Sequence, residues 1–587
     1  MVKIFRYLNK QYWLFIVLAA SFVALSVWFD LRLPGYMSDI TVMVQTDGYV
    51  ASDIWGVGWR MLRIAFLGMI AMAIVGYLSA RIAAGFARDL RERVFDKVMD
   101  FSAAEVNQFS VASLITRATN DVTQVQNIIV IGFQTVVRSP ILAIWATIKI
   151  FDRGFEWSVA TMVSVGIMMS FIFILVIFAL PKLKIVQDLT DKLNLVTRQH
   201  LTGIRVVKAY NAKAYEEAKF ADANEELIRT NRFVQRMMSS LWPLIGFIMQ
   251  ALPLILYVIG MYLIQGAALP ADRVALFGDM IVFAQYGMMI LMAFLMMSFM
   301  FVLLPQAVVS ARRINEVLHT DLSLLYPDAK TLDPDSNVAI EFKNVDFKYP
   351  DAGALVLEDI NFTINKGQTV ALIGATGSGK STVVKLMTRG YDATTGDVNI
   401  LGKAIKQLTK VELTQKIGYA PQKATLFTGT VASNVAFGQT VNANLTPQIK
   451  EASLLAQASE FIEKLENTYE ANITQGGTNV SGGQKQRLGI ARTLFNQPPI
   501  LIFDDSFSAL DYKTDRKLRE ALEKNCQAAT KVIVAQRVSS IKNSDKIIVM
   551  DEGRVAGIGT HDALMKSCSV YSEIAYSQLT EEELANG

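Results

Sequence analysis

The residues that could do chemistry sit in two stretches of the second half of the chain. In GATGSGKST, Gly374, Gly379, Lys380 and Ser381 fit the spacing G-x-x-x-x-G-K-[ST], directly after the apolar run Thr369 to Ile373. That spacing suits a polyphosphate. Backbone N–H groups through Thr376, Gly377, Ser378 and Gly379 wrap the phosphates, Lys380 neutralises them, the Ser381 hydroxyl ligates magnesium, and Thr382 completes the nucleotide-binding set. The second stretch is TNVSGGQKQRLGIARTLFNQPPILIFDDSFSALD, Thr478 to Asp511. Ser481, Gly482 and Gly483 open a helix whose free N–H groups and dipole make an anion site. Ile500 to Phe503 is a continuous apolar run of the kind buried in a parallel sheet, so Asp504 emerges at its carboxyl end. An aspartate there can hold magnesium, usually through water, beside a phosphate.

A phosphate loop alone belongs to many nucleotide hydrolases. Followed by SGGQ, an apolar strand ending in aspartate, and SALD, it is far more specific, and from about Val338 onward the chain resembles the ATP-binding cassette (ABC) superfamily. The resemblance implies an α/β P-loop cassette with a helical subdomain, using ATP and Mg2+. It also assigns roles. Tyr349 in FKYP takes the adenine-stacking position, although a tyrosine at a strand end is also common packing. Gln422 in YAPQKATLFTGT takes the Q-loop position beside magnesium or water, with Ser381 and Asp504 as the other magnesium contacts. Ser481, Gly482, Gly483 and Gln484 form the signature that acts on ATP held by a second cassette, and Asp511 stands in the D-loop.

Two positions depart from the pattern. Hydrolytic exporters carry glutamate after the strand aspartate, and this chain has Asp505; they carry a switch histidine where it has Gln536 in KVIVAQRVSS. Losing one methylene withdraws a carboxylate by about 1 Å, and a misplacement of that size can cost roughly 100-fold in rate. The histidines are His200, His319 and His561, none near that strand end. Both changes with an intact VSGGQ make the chain resemble the degenerate-site subunit of a bacterial heterodimeric multidrug exporter. That resemblance implies a homologous half-transporter partner with a competent catalytic site.

Composition says what the cassette is attached to. The chain has 587 residues, 52% of them hydrophobic, with a mean hydropathy of +0.31. That is too apolar for a soluble protein of this length, and the excess lies in the first 310 residues or so. The net charge of +4 gives no reason to expect nucleic acid. Cys526 and Cys568 have no metal-ligand spacing and read as ordinary thiols. Six apolar segments reach the ~20 residues that cross a bilayer, near Trp13–Phe29, Met61–Ala84, Ile128–Phe151, Ser158–Leu180, Leu241–Ile264 and Gly278–Leu304. The connection Gly35–Gly58 has Asp39, Asp47 and Asp53 but no lysine or arginine. The next one carries Arg81, Arg88, Arg91, Arg93, Lys97 and Arg117, and the turn near Asp152 is short. Basic connections stay inside, so both termini are expected in the cytoplasm of a cell-membrane protein.

The inner connections, roughly 85–127 and 182–238, are too long for turns and carry apolar residues at helical spacing. The membrane helices are therefore expected to continue past the bilayer. This half resembles the six-helix domain of type IV ABC exporters, which implies coupling elements near Asn107–Leu114 and Asn211–Glu217. The expected division is a membrane domain over 1–319, a linker over 320–337 and a cassette over 338–587. Asp30, Arg32, Arg63 and Arg138 are charges in or beside spans; they suit an internal Asp–Arg pair, snorkelling or ligand contact. Met280, Met288, Met289, Met292, Met296, Met297 and Met300 crowd the sixth span with Phe294, Phe299 and Phe301. They suit either an adaptable substrate surface or helix packing. The whole reading is ATP-driven multidrug efflux of small hydrophobic or amphipathic compounds from the lipid bilayer. Lipid or peptide export on the same scaffold, or a nucleotide-gated regulatory subunit, are the alternatives.

Overall fold

The computed structural model describes residues 4–46, 48–151, 154–328 and 336–578, without the burial of Leu180, Phe301 and Val302. Asp47, Asp152, the side chain of Phe301 and the middle of the linker lie outside the described residues. The chain divides into two compact units: residues 1–99 with 112–320, and residues 100–111 with 321–587.

The first unit is helical. Among the described residues six helical stretches are long and apolar enough to cross a membrane: Lys10–Gln45, Ala51–Met99, Val111–Phe151, Phe155–Thr202, Lys213–Gly266 and Pro270–Leu318. All six exceed what a bilayer requires, and three of them are single unbroken helices of nearly fifty residues. Ala51–Met99 and Pro270–Leu318 have 49 residues each and Phe155–Thr202 has 48. At 1.5 Å per residue, 49 residues span about 74 Å against a hydrocarbon core of about 30 Å. The excess carries the charged residues that a bilayer would exclude. The first connection is shorter than its acidic composition suggested. A second helix starts at Leu33, with Pro34 in its first turn, and continues to Gln45. Proline lacks the N–H that the first turn leaves unbonded, so Pro34 begins a helix where it would break a continuing one.

The core of this unit joins Trp157, Phe283, Leu252, Leu256 and Ile290, all buried. The Trp157 indole N–H donates to the Leu256 carbonyl at 3.1 Å, and the Tyr286 hydroxyl donates to that of Leu31 at 2.7 Å. Both polar tips are thus satisfied where water cannot reach. The span charges pair internally: Arg138 donates to Asp30 at 2.8 Å, and Arg32 lies over the Trp28 ring at 4.3 Å. Arg63 is exposed.

The second unit is an α/β domain with, among the described residues, twelve strands: β1 (Val338–Phe347), β2 (Leu357–Asn365), β3 (Thr369–Ile373), β4 (Thr395–Ile400), β5 (Lys403–Ala404), β6 (Ile417–Ala420), β7 (Gly429–Thr430), β8 (Asn472–Ile473), β9 (Ile500–Asp504), β10 (Thr530–Val534), β11 (Lys546–Asp551) and β12 (Arg554–Gly559). Six of them form one sheet in the order β12-β11-β3-β10-β9-β6, parallel except at the β11–β12 edge. A four-stranded antiparallel sheet, β2-β1-β4-β5, carries Tyr349 just beyond the end of β1. In the parallel sheet every residue of β9 and β10 is buried, as their unbroken apolar runs require. The parallel strands β3, β9, β10 and β6 therefore deliver Gly374, Asp504, Asp505, Gln536 and Gln422 to one edge, past their carboxyl ends. Open α/β sheets bind ligands at that edge. The helical subdomain, with helices Thr446–Leu455 and Gly482–Phe495, packs its apolar faces into the core of the same sheet.

Candidate functional site

The phosphate loop joins β3 to the helix Lys380–Met387. Gly374, Gly377 and Gly379 have φ of +156°, +89° and +98°, values that side-chain-bearing residues rarely adopt. At Gly374 a Cβ would also collide with the Met550 carbonyl, and at Gly379 it would meet Leu357. The glycines are demanded by the chain's own backbone path. Lys380 folds over the loop, its Nζ donating to the carbonyls of Gly374 and Ala375 at 2.8 and 2.7 Å and to Ser378 Oγ at 3.3 Å. Burial lowers its pKa, with Asp505 and Asp504 opposing.

At the end of β9, Asp504 is buried and Asp505 half-buried. Burial and the neighbouring Asp505 charge raise the Asp504 pKa. The Tyr419 hydroxyl donates to Asp504 at 3.4 Å, a weak bond, and the phenol is pushed up to about 12 by burial and by that carboxylate. Asp505 turns out of the strand with φ of +50°, a conformation that aspartate tolerates better than most residues. One of its oxygens, Oδ2, accepts from Gln536 Nε2 at 2.9 Å and from Gln422 Nε2 at 3.2 Å. The two positions that depart from the exporter pattern are thus bonded to one another, and to the Q-loop position as well. Ser381, Asp504 and Gln422 offer hydroxyl, carboxylate and amide oxygen, the hard donor set that suits magnesium.

Tyr349 is half-buried, with its hydroxyl 3.1 Å from Thr382 Oγ1 and accepting from Lys385 Nζ at 3.2 Å. Its ring packs edge-on against Phe347 and Tyr391.

The signature is built differently. Ser481 caps the helix Gly482–Phe495: its hydroxyl accepts from the Gln484 N–H at 3.3 Å, and the Gln484 side chain accepts from the Ser481 N–H at 2.8 Å. This reciprocal box explains Gln484 at that spacing. Ser481 and Gly482 are exposed. A Cβ at Gly482 would meet nothing within 4 Å, and one at Gly483 would sit 3.3 Å from the Ala509 carbonyl. Asp511 caps the helix Tyr512–Asn525, accepting from the Thr514 N–H at 3.0 Å and its hydroxyl at 2.7 Å, which holds its pKa low.

Three braces of this site lie outside the residues that the motifs single out. Gln486, buried on the signature helix, donates to the Pro421 carbonyl at 3.1 Å beside Gln422. Ser506 donates to the Ala420 carbonyl at 2.7 Å, tying the end of β9 to β6. Gln578, far along the chain, donates to the Gln536 carbonyl at 2.8 Å and accepts from the Val538 N–H at 2.9 Å. Only Gln486 sits at a regular offset from a motif; the other two are seen only once the strands are in place.

Comparison with known proteins decides the family. Residues 13–294 match the family described as "ABC transporter transmembrane region", and residues 357–508 match "ABC transporter". An uncharacterised ABC transporter ATP-binding protein of Mycobacterium tuberculosis (strain ATCC 25618 / H37Rv) is 35% identical over 548 residues, 92% of this chain and 93% of that protein. The chain belongs to the ABC transporter family. An ATP-dependent lipid A-core flippase of Pseudomonas fluorescens is 30% identical over 85% of this chain and 81% of its own length. Among solved structures, a bacterial Atm1-family ABC exporter with ATP bound covers 97% of this ABC transporter and 98% of its own chain, with a TM-score of 0.77 at 23% identity. The family match and the ATP-bound counterpart make the chain an ATPase and translocase of a membrane, with ATP and Mg2+ as its cofactors.

The narrower expectation is corrected. A degenerate-site subunit of a heterodimeric multidrug exporter, needing a homologous partner with the competent site, does not stand. The end-to-end fold match is to an Atm1-family exporter, with membrane region and cassette fused in one chain. The physical reason lies in the site. Asp505 and Gln536 form one bonded unit with Gln422, and a carboxylate remains at the end of β9. Counting departures from a family pattern could not show that the two changed positions are bonded to each other.

Proposed function

We propose that two copies of this chain form an exporter that uses ATP to move hydrophobic or amphipathic molecules outward across the membrane. Gly482 carries the reading. It stands at the first helical position, exposed beside the Ser481 cap, and the chain itself leaves room for a side chain there. What a bare, exposed helix N-terminus does favour is the close approach of an anion. In this reading it meets the γ-phosphate of ATP bound by the other copy, while its own phosphate loop binds a second ATP for the other signature.

Within each site, Lys380 and the loop N–H groups bind the β- and γ-phosphates, and Tyr349 packs on the adenine. Ser381, Asp504 and Gln422 would hold magnesium, which neutralises phosphate charge when bound with ATP. Asp505 accepts the proton as water oxygen bonds to the γ-phosphorus and the bond to the bridging oxygen breaks, releasing ADP. Gln536 holds the Asp505 carboxylate in one place, which offsets the shorter side chain. Asp511 shapes the contact between the cassettes. The basic connections place both termini in the cytoplasm.

Met292, Met296 and Phe299, exposed at helical spacing on Pro270–Leu318, support an apolar cargo surface. The exposed corner around Tyr210 and Tyr215 supports docking on the second copy. The test is transport of fluorescent amphiphiles into inverted vesicles by the purified chain alone. ATP-dependent uptake that stops in Lys380→Ala supports the reading; ATPase activity without uptake across lipid-like, cationic and neutral amphiphiles counts against it.

A further inference from the structure

We propose that Glu105 is a positioning residue that turns the segment Asp321–Tyr326 from a spacer into a strap, through which the last membrane helix acts on the nucleotide-binding helix. The inference rests on the exporter reading for its purpose, but not for its geometry.

The short helix Ala103–Phe109 follows the long helix that ends at Met99, and the strap follows the helix that ends at Leu318. Both belong to the compact unit of the cassette. Glu105 is 4% exposed, and each of its oxygens takes a backbone N–H from a different segment: Ser102 at 2.6 Å and Ser323 at 2.9 Å. The Ser102 and Ser323 hydroxyls lie 2.9 Å apart beside it. Two residues on, Arg389 donates to the Leu325 carbonyl at 2.9 Å, lies over the Tyr326 ring at 4.4 Å and pairs with Asp392 at 3.0 Å. Asn107 donates to the Tyr391 hydroxyl at 3.4 Å, and Lys410 reaches Asp100 at 3.6 Å on the rim.

A linker that only spaces two domains keeps its backbone in water and is indifferent to its neighbours. Here Ser323, Leu325 and Tyr326 are each held by Glu105 or Arg389, both almost wholly buried. A buried carboxylate is costly unless its oxygens are bonded, so Glu105 fixes two backbone segments in register or leaves a charge unsatisfied. Arg389 stands two residues beyond the helix Lys380–Met387, whose first turn carries Lys380 and Ser381. Chains arriving from two membrane helices therefore meet at Glu105 and are tied, through Arg389, to the far end of the helix that holds the phosphates. Motion of that helix on nucleotide binding must carry the strap with it.

The test uses the full-length protein, with Cys526→Ser and Cys568→Ala to remove the two free thiols. In Ser102→Cys/Ser323→Cys, oxidation joins the helix to the strap. If they move as one body, the cross-linked protein keeps at least about half of the ATPase activity of the reduced form; a loss of about tenfold, recovered with reductant, overturns the proposal. In the second arm, Met296→Cys reports on the sixth span through its labelling rate with a membrane-impermeant maleimide, with and without ATP and vanadate. Glu105→Gln keeps the size of the side chain but turns an NH2 donor toward an N–H. It should still bind ATP, yet shrink the nucleotide response of labelling at least about threefold. A response equal to that of the Glu105 protein overturns the strap. If the Glu105 protein itself shows no response, the exporter reading fails, and the cross-linking arm alone decides whether the strap is rigid.

Discussion

The two glycine-rich turns of the cassette have opposite reasons for their glycines. In the phosphate loop, Gly374, Gly377 and Gly379 adopt positive φ, and a Cβ on Gly374 or Gly379 would run into Met550 or Leu357. In the signature, Gly482 lies in a regular helix, is exposed, and has open space where a Cβ would go. The first turn is shaped by its own chain. The second leaves open space that its own chain does not fill, and in the proposed assembly one cassette contributes halves to two different ATP sites.

Lys380→Ala should produce the largest effect. It removes the only lysine in the phosphate loop, and ATPase activity should fall at least about 100-fold with weakened ATP binding, measured by turnover and by nucleotide titration. The glycine pair comes next and tests the comparison itself. Gly482→Val should lower turnover by about 30-fold or more while leaving ATP affinity and the melting temperature close to those of the parent, because the chain has room for the side chain. Gly374→Val should lower both affinity and melting temperature. If Gly482→Val destabilised the cassette as Gly374→Val does, the contrast between the turns would be broken.

Asp505→Asn should cost about 10- to 100-fold in turnover at unchanged ATP affinity if, as proposed, the bonded carboxylate at the end of β9 is the base. A loss of less than about twofold would mean that the base lies elsewhere. The smallest effect is on stability. Glu105 is held at about 2, below its ordinary 4.5, mainly by bonds to Ser102 and Ser323 that outweigh its burial. Its contribution is therefore fully present above about pH 4.5 and is lost as pH falls toward 2. The gap in melting temperature between parent and Glu105→Gln should be widest above pH 4.5 and narrow below it; a gap independent of pH would place the effect in packing instead.

Much of this was legible in the sequence, because the strongest features are local. GATGSGKST fixes a strand, a turn and a helix within a few residues, and VSGGQ carries its own helix cap. Six apolar runs can do little but cross a bilayer, and each falls within a long helix. What the sequence hid is what long-range register creates. The bond from Gln536 to Asp505 depends on β10 lying beside β9, with Val534 opposite Asp504. Without that pairing the two changes read as separate losses, which led to the mistaken heterodimer expectation. The same holds for Gln578 behind Gln536 and for Glu105 on Ser323, where neither partner belongs to a motif. Leu33–Gln45 was missed because its acidic and glycine residues resemble a loop, and Pro34 reads as a breaker until it is seen in the first turn of a helix.

The most direct test of the central claim is complementation between two crippled chains. Lys380→Ala lacks a working phosphate loop and Gly482→Val lacks a working signature, so each expressed alone should be nearly inactive. Co-expressed with separate tags and isolated as the mixed assembly, they leave one site with an intact phosphate loop facing an intact signature. That pair should recover activity toward roughly half that of the parent, or roughly a quarter if random mixtures are not separated. No recovery in a correctly assembled mixed pair would contradict the account and place each ATP site within a single chain.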